Sequence, residues 1–377
     1  MKHHQNRFRF LHKKAALLIL LAAFFTLCGL FVYNDSFLYQ APVIKITTVS
    51  EETLSVQPND INGTETLRRQ TIKGIVLNTA KKGTTAQLTN EYSSSEVSTT
   101  RYETGDRVFA QLSGAGGSSG RITGLKRDFH IFALLALFIL LSVAVCGKRG
   151  MLFFCSLALN TIVFLLAVKL YLNGIPLLLL GFAAMLVFAV ATTVLTCGIK
   201  PKALVAGLSA VVTSVVTIAL AILVLHITDG AGVRFDKMEY LAAPYEELFL
   251  VELLIGSFGA VMDTAVTIAT SLSEISVQTA GHDRKTLAQA GREIGLDIMG
   301  TMSSILFFAN IAGCIPMIIL ALRNNVTFFD VIHNYISLEI TRSLVGSIGI
   351  VLTIPITVKL AALLFEKMKS PERRALR

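Results

Sequence analysis

The residues best suited to chemistry are two acids inside one long apolar run. Residues 248–272 carry Glu252 and Asp263. An ionisable group in hydrocarbon is costly, so acids found there generally bind an ion, carry a proton or pair with a neighbour. The two acids lie three helical turns apart, which turns both to one side, separated by about 16 Å along the axis. Gly256 and Gly259 fall between them on roughly the same face, and Thr270 continues it. Small residues let another helix or a solute approach closely. Asp263 is the deeper of the two acids, and Glu252 is close enough to the end of the run to reach the surface. A transport or proton-coupling role competes here with three plainer ones: a structural hydrogen bond, a protonated inert carboxyl, or a helix broken to admit water.

Other polar positions punctuate the later runs. Glu293 and Asp297 lie four apart before the run 298–322, where a helix dipole favours acids. Thr301 and Ser304 extend Asp297 into a polar stripe, whereas Asn310 falls on another face. Glu339 begins the last run, followed by Ser343 and Ser347, and Asn160 interrupts the third. Signatures of catalysis are poor. Gly117-Ser118-Ser119-Gly120 matches the GxSG string of a serine protease but lies in a polar stretch, and Gly259–Asp263 is not a GxGD motif. There is no HExxH and no P-loop. The five cysteines, Cys28, Cys146, Cys155, Cys197 and Cys314, lie in or beside apolar runs without metal-site spacing. No enzyme, cofactor or disulfide framework is expected.

The elements that must hold these residues follow from composition. Hydrophobic residues make up 53% of the chain and charged residues 16%, against about 25% charged in a soluble domain. The mean hydropathy is +0.64. Eight apolar runs cover residues 15–32, 129–145, 151–171, 175–197, 203–227, 248–272, 298–322 and 340–364. Each has roughly the 17–25 residues a helix needs to span a bilayer, and only a helix satisfies its own backbone there. The fold class predicted is an all-α polytopic membrane protein of about eight transmembrane helices, with a small extracytoplasmic β-rich domain, barrel or sandwich, after helix 1. The organisation predicted is a basic tail (1–14), helix 1 (15–33, retained rather than cleaved), the β-rich domain (34–128), a seven-helix domain (129–365) and a second basic tail (366–377). Within the β-rich domain, residues 71–78, 84–89 and 107–112 read as strands, and 113–120 as a Gly/Ser loop.

The formal net charge of +9 would suit nucleic acid, but the basic residues flank the apolar runs and serve to orient them. With both termini in the cytoplasm, the cytoplasmic segments hold 17 Lys and Arg, and the short external connections hold five: Lys169, Arg234, Lys237, Arg323 and Arg342. The external connection 228–247 is acidic, through Asp229, Asp236, Glu239, Glu246 and Glu247. It reads as a solvated loop or as a mouth that concentrates cations.

Several blocks are distinctive in combination: GSFGAVMDTAVTIATSLSEI at 256–275, GREIGLDIMGTMSSILFFAN at 291–310, YETGDRV at 102–108, Arg127-Asp128, and GSIGIVLTIP at 346–355. From about residue 70 to 365 the chain resembles the YibE/F family of bacterial multi-pass membrane proteins. The N-terminal helix and external domain are similar to its longer, YibE-type members. The resemblance implies a cell-membrane location and a possible shorter YibF-type partner. It places acids at Asp263 and Asp297 without assigning them roles. The function expected is a secondary transporter or permease subunit, cation- or proton-coupled, with Asp263 binding the coupling ion and Glu252 and Asp297 on its route. The alternative is a non-transporting scaffold or assembly factor that binds a partner through its external domain. The partners expected are the lipid bilayer and a YibF-type chain or a second copy. A transporter requires the polar face of 248–272 to line a cavity, and a scaffold would bury it in tight helix contacts.

Overall fold

The computed structural model describes residues 2–59, 63–95, 99–113, 119–230, 233, 235, 244–278 and 284–375. The chain forms two compact units, Met1–Gly150 and Met151–Arg377.

The first unit opens with helix α1 (Lys2–Asn34) and a 3₁₀ turn (Asp35–Leu38). Five strands follow: β1 (Val43–Asn59), β2 (Gly63–Val76), β3 (Thr85–Ser93), β4 (Arg107–Ser113) and β5 (Ser119–Leu125), then helix α2 (Asp128–Cys146). The strands close a barrel in the order β1-β2-β3-β5-β4, with β3 and β5 parallel and the other pairs antiparallel. This is the Greek-key topology of an OB-type barrel. Alternation sets its interior: Ala86, Leu88 and Tyr92 of β3 point in, while Thr85, Gln87, Thr89 and Glu91 stay in solvent. Ile44, Ile46, Ile72 and Val108 complete the core. Gly74 is required where β1 passes close to β2, since a Cβ there would lie 2.5 Å from Ile44 Cγ2 and 2.7 Å from the Lys45 carbonyl oxygen. The predicted strands 71–78, 84–89 and 107–112 are present, apart from Leu77 and Asn78 beyond β2 and Thr84 before β3. The predicted loop 113–120 is corrected at its ends. Ser113 belongs to β4, while Ser119 and Gly120 belong to β5, where Gly120 lies so close to the Gln111 carbonyl that a Cβ would stand 2.5 Å from it. Residues 114–118, including Gly117 and Ser118, lie outside the described residues.

A polar network pins the β3–β4 connection across the barrel. Gln70, fully buried, donates to Glu51 Oε1 at 3.0 Å and to the Tyr102 carbonyl at 2.9 Å. Its own oxygen accepts from Asn90 Nδ2 at 3.0 Å and Tyr102 N–H at 3.1 Å. Glu51 also accepts from Tyr92 O–H at 3.1 Å and Arg101 Nε at 3.1 Å. Burial opposes ionisation of Glu51, but the bonds from Gln70, Tyr92 and Arg101 outweigh it and hold the carboxyl below its usual range.

Lys126 joins barrel and helices. Its ammonium is 2.7 Å from Asp35 and 2.8 Å from Asp128, with the side chain only 3% exposed. It also donates to the Val32 carbonyl at the end of α1. Tyr39 donates to Asp128 at 2.5 Å, and that bond, with burial, pushes the phenol above its usual range. Edge-on rings pair α1 with α2, Phe25 with Phe132 and Tyr33 with Phe129.

The second unit continues from α3 (Lys148–Leu172) through α4 (Leu177–Cys197), α5 (Pro201–Ile227), α6 (Tyr245–Gln278) and α7 (Arg284–Arg323). It ends with α8 (Phe328–Val331), one π-helical turn (Ile332–Ile336) and α9 (Ser337–Ala375). Gly198, at φ +73°, ends α4, and Pro201 opens α5 where its missing N–H costs nothing. The core lies among α4, α5, α6 and α9, through residues such as Met185, Ala210, Phe249, Leu254 and Val261. A second cluster joins Val205, Ile268, Leu272, Ile354 and Ala361. Large apolar side chains face outward along the helices, among them Leu165, Val190 and Phe308. Among the described residues, eight helices are long and apolar enough to cross a membrane, as the apolar runs predict. The chain is a multi-pass membrane protein.

One helix begins earlier than its apolar run suggests. α7 starts at Arg284, so Glu293 and Asp297 are interior to it and not at its positive end. Gly291 and Gly295 are packing positions against α9: a Cβ would lie 2.7 Å from Val358 at the first and 2.5 Å from Ile354 at the second.

Candidate functional site

Within the second unit, α3, α4, α6, α7 and α9 enclose a cavity of about 570 Å³. Its walls are mostly apolar, through residues such as Phe164, Val168, Leu180, Val251 and Leu306. Its polar groups are few: Tyr171, Glu252, Ser257, Asn310, Glu339 and Arg342. An apolar pocket with a small set of convergent polar groups is the usual form of a small-molecule site.

The charged groups form one cluster. Arg342 of α9 donates to Glu339 one turn before it and to Glu252 of α6. Its guanidinium also sits 5.7 Å from the ring centre of Phe249, itself buried. The Arg342 side chain is 22% exposed and that of Glu339 18%, so the cluster is partly desolvated. Beside it, Asn310 Nδ2 donates to Ser343 Oγ at 3.1 Å, and Ser343 donates to the Glu339 carbonyl at 2.7 Å. The helices are held close by small residues. A Cβ on Gly181 would be 3.1 Å from Val251, and one on Gly346 would strike Leu306. Gly256 lines the cavity, and neither it nor Gly259 has any atom within 4 Å of a Cβ position. These two glycines leave open space, unlike Gly291 and Gly295.

The predicted site residues divide into two groups. Glu252, Gly256, Asn310 and Glu339 meet at the cavity. Gly259 and Asp263 continue the same face of α6 beyond the cavity lining, and Asp263 is exposed. Further along, Thr270 Oγ1 is 4.0 Å from Cys197 Sγ. Asp297 and Thr301 are exposed on α7, where Thr301 donates to its own helix at the Ile298 carbonyl. Asn160 is used structurally, donating to Thr192 Oγ1 at 3.2 Å. Arg342 is the site residue that sequence reasoning missed, because it was counted among connection charges. The available signal was its position three residues after Glu339 on one helix face, the spacing of an ion pair.

Of the acidic connection 228–247, Asp236 and Glu239 lie outside the described residues. Asp229 and Glu246 line a second cavity of about 350 Å³ with His226. Among the described residues, no three His, Cys, Asp or Glu side chains are placed to share a metal ion.

Comparison with curated proteins and with solved structures returned no match. Family models do match. The YibE/F family N-terminal domain covers residues 37–125, which contain all five strands of the barrel. The YibE/F-like protein model covers residues 134–367, which contain the cavity and its charged cluster. The two matches take in most of the chain, which therefore belongs to the YibE/F family.

Proposed function

We propose that this protein is a secondary transporter or permease subunit that moves a cationic solute or couples to a cation or proton, and that it catalyses no covalent reaction. The observation that carries this reading is the cluster Glu252–Arg342–Glu339 on the wall of the cavity. Two carboxylates facing one guanidinium leave an excess negative charge when both acids are ionised. A cation entering the cavity can take over a carboxylate from Arg342, so a charge is exchanged and none is stranded in low dielectric. Gly256 supports the same reading, since a residue without a side chain leaves the α6 backbone accessible on the cavity lining. Asp263, about 16 Å further along α6, offers a second stop on the same face. The bias of Lys and Arg supports an orientation in a cell membrane with both termini cytoplasmic and residues 34–128 outside. A second membrane chain, related or identical, is the partner to supply in a reconstitution.

The test is reconstitution in proteoliposomes, alone and with a YibF-type chain, measuring currents and solute uptake across protons, alkali cations and divalent cations. Transport lost in Glu252→Gln or Asp263→Asn, with the variant folded, supports the proposal. Absence of transport under every condition with both chains present overturns it. The scaffold reading would then be favoured by the barrel, whose topology serves elsewhere as a binding surface. Apart from the exposed Ile75, its outward β2 and β3 face is mainly polar, including Arg69, Thr71, Lys73 and Thr89, and its Tyr92 is buried, so a partner there would be held chiefly by hydrogen bonds and charge, not by stacking.

A further inference from the structure

The second unit carries a groove that shares no lining residue with the charged cavity. α4 and α5 are joined by Gly198, Ile199 and Lys200, and the groove, of about 610 Å³, runs from this hairpin along both helices. Its floor is made by small residues. A Cβ on Gly207 of α5 would lie 3.4 Å from Thr193 Oγ1 and 3.9 Å from the Ala189 carbonyl oxygen of α4. Its walls are large apolar side chains that face outward, Leu186, Val190 and Val194 on α4 and Leu204 and Leu208 on α5. Thr193 supplies the one hydroxyl in the lining and donates it to the Ala189 carbonyl of its own helix at 2.7 Å. Lys200, at the hairpin end, supplies the one charge.

An apolar trough with a cation at one end fits an amphiphile with a negative head, and its length fits a lipid. The lining ends at Val211 on α5, eleven positions from Lys200, and at Leu186 on α4, eleven positions from Cys197. At ~1.5 Å per residue that is about 16 Å, one leaflet of a hydrocarbon core about 30 Å thick. A transmembrane helix of another chain would need a face along the whole core, whereas this one ends at mid-membrane. The head end is equally selective. Among the described residues neither Lys200 nor Lys202 has an ion-pair partner, and no Asp or Glu occurs between Asp128 and Asp229. Glu274 of α6, one turn beyond the Thr270 that meets Cys197, pairs with neither lysine. A zwitterionic head would bring its own ammonium to these lysines, and an anionic head would not. A lysine lays its stem along apolar surface and lifts its ammonium to the level of the phosphates. Ile199, 94% exposed beside Lys200, adds apolar surface at the same level.

We propose that the α4–α5 groove binds one anionic phospholipid, with an acyl chain between Val190 and Leu208 and the headgroup on Lys200 and Lys202. Binding there stands or falls independently of whether the cavity transports a solute. The chain has no tryptophan, so a single introduced one reports only its own surroundings. Leu208→Trp places it on the groove wall, about 12 Å along α5 from Lys200. The full chain is reconstituted in vesicles of phosphatidylcholine and phosphatidylglycerol, with one or the other brominated at mid-chain, and fluorescence quenching gives the lipid preference at that wall. The expected result is a preference for phosphatidylglycerol of about fivefold or more, the factor one lysine contributes near an anionic headgroup. Lys200→Gln/Lys202→Gln in the same background should bring the two lipids to parity. Leu223→Trp, on an exposed position of α5 in the other leaflet, should show parity from the start. Equal quenching by the two lipids at Leu208→Trp, or the same preference at Leu223→Trp, overturns the proposal, because it describes ordinary surrounding lipid. Quenching by neither lipid overturns it by showing that a protein segment covers the groove. A preference that survives loss of both lysines overturns it by placing the selectivity elsewhere. Should Leu208→Trp fail to fold, Val190→Trp on the facing wall carries the same readings.

Discussion

Arg342 of α9 donates to Glu252 of α6, which lies ninety positions earlier in the chain. The pair ties two helices at the wall of a mostly apolar cavity, and Glu339 shares the same guanidinium. Removing Arg342 would leave two carboxylates facing one another. Arg342→Gln should therefore lower stability more than Glu252→Gln does, because the second change leaves the guanidinium its Glu339 partner. A double-mutant cycle on Arg342 and Glu252, read by thermal unfolding in detergent, should give a coupling of about 1 kcal/mol, a modest value because Glu252 is 40% exposed. Zero coupling would mean that the ion pair is not formed in the protein.

Glycines of identical composition should behave oppositely according to what faces them. Gly295→Ala drives a methyl to 2.5 Å from Ile354 and should cost roughly 1–3 kcal/mol, as overpacking in a core does. In an Ile354→Ala background, which removes the γ-carbons the methyl would meet, the same change should cost less. Gly259→Ala meets nothing within 4 Å and replaces a poor helix former with a good one, so stability should hold or rise by up to about 1 kcal/mol. Thermal unfolding of the three variants side by side checks the ordering. A destabilised Gly259→Ala would show that another helix covers that face.

These two predictions also mark what could be read in advance. The eight spans were legible because length and apolar content alone decide whether a helix can cross a bilayer. Strands β2, β3 and β4 were signalled by alternation between turn residues, although β2 begins at Gly63, well before the expected residue 71. β1 was not singled out. Its 17 residues include a long polar arm, and two register shifts break the period of two that marks a strand. β5 resembled a Gly/Ser loop because Ser119 and Gly120 are small, and smallness there serves close strand contact. Gly291 and Gly295 precede the apolar run 298–322, and their packing role depends on α9, which is distant in sequence. At the site, the face from Glu252 to Asp263 follows from helical period. The meeting of that face with Arg342 and Asn310 does not, since pairing across distant helices leaves no local pattern.

Lys126 should behave as a buried keystone of the first unit. It neutralises Asp35 and Asp128 and bonds the Val32 carbonyl, and its side chain is almost wholly enclosed. Lys126→Met preserves the aliphatic length but leaves two acids uncompensated, which should cost about 3 kcal/mol. Amide hydrogen exchange should show the loss first between Asp35 and Tyr39. Replacing all three charges, as in Asp35→Asn/Lys126→Met/Asp128→Asn, should restore much of the protection. If Lys126→Met alone leaves exchange unchanged, the cluster is not closed in the folded protein.

Glu51 gives the barrel a pH dependence of known sign. Its carboxyl is held below the usual range in the folded chain, so the folded state binds the ionised form better than the unfolded state does. The resulting stabilisation is complete above the unfolded-chain value of about 4.3 and is lost as pH falls through the lower folded value. Acidification should therefore release the β3–β4 connection, because Gln70, Tyr92 and Arg101 all bond to that carboxylate. Exchange of the Tyr102 amide, which donates to Gln70, should quicken as pH drops through this window, after correction for the intrinsic rate. In Glu51→Gln the connection should be loosened at neutral pH and the acid-dependent step should disappear. If wild type and Glu51→Gln showed the same pH profile, another carboxylate would control the barrel's acid sensitivity.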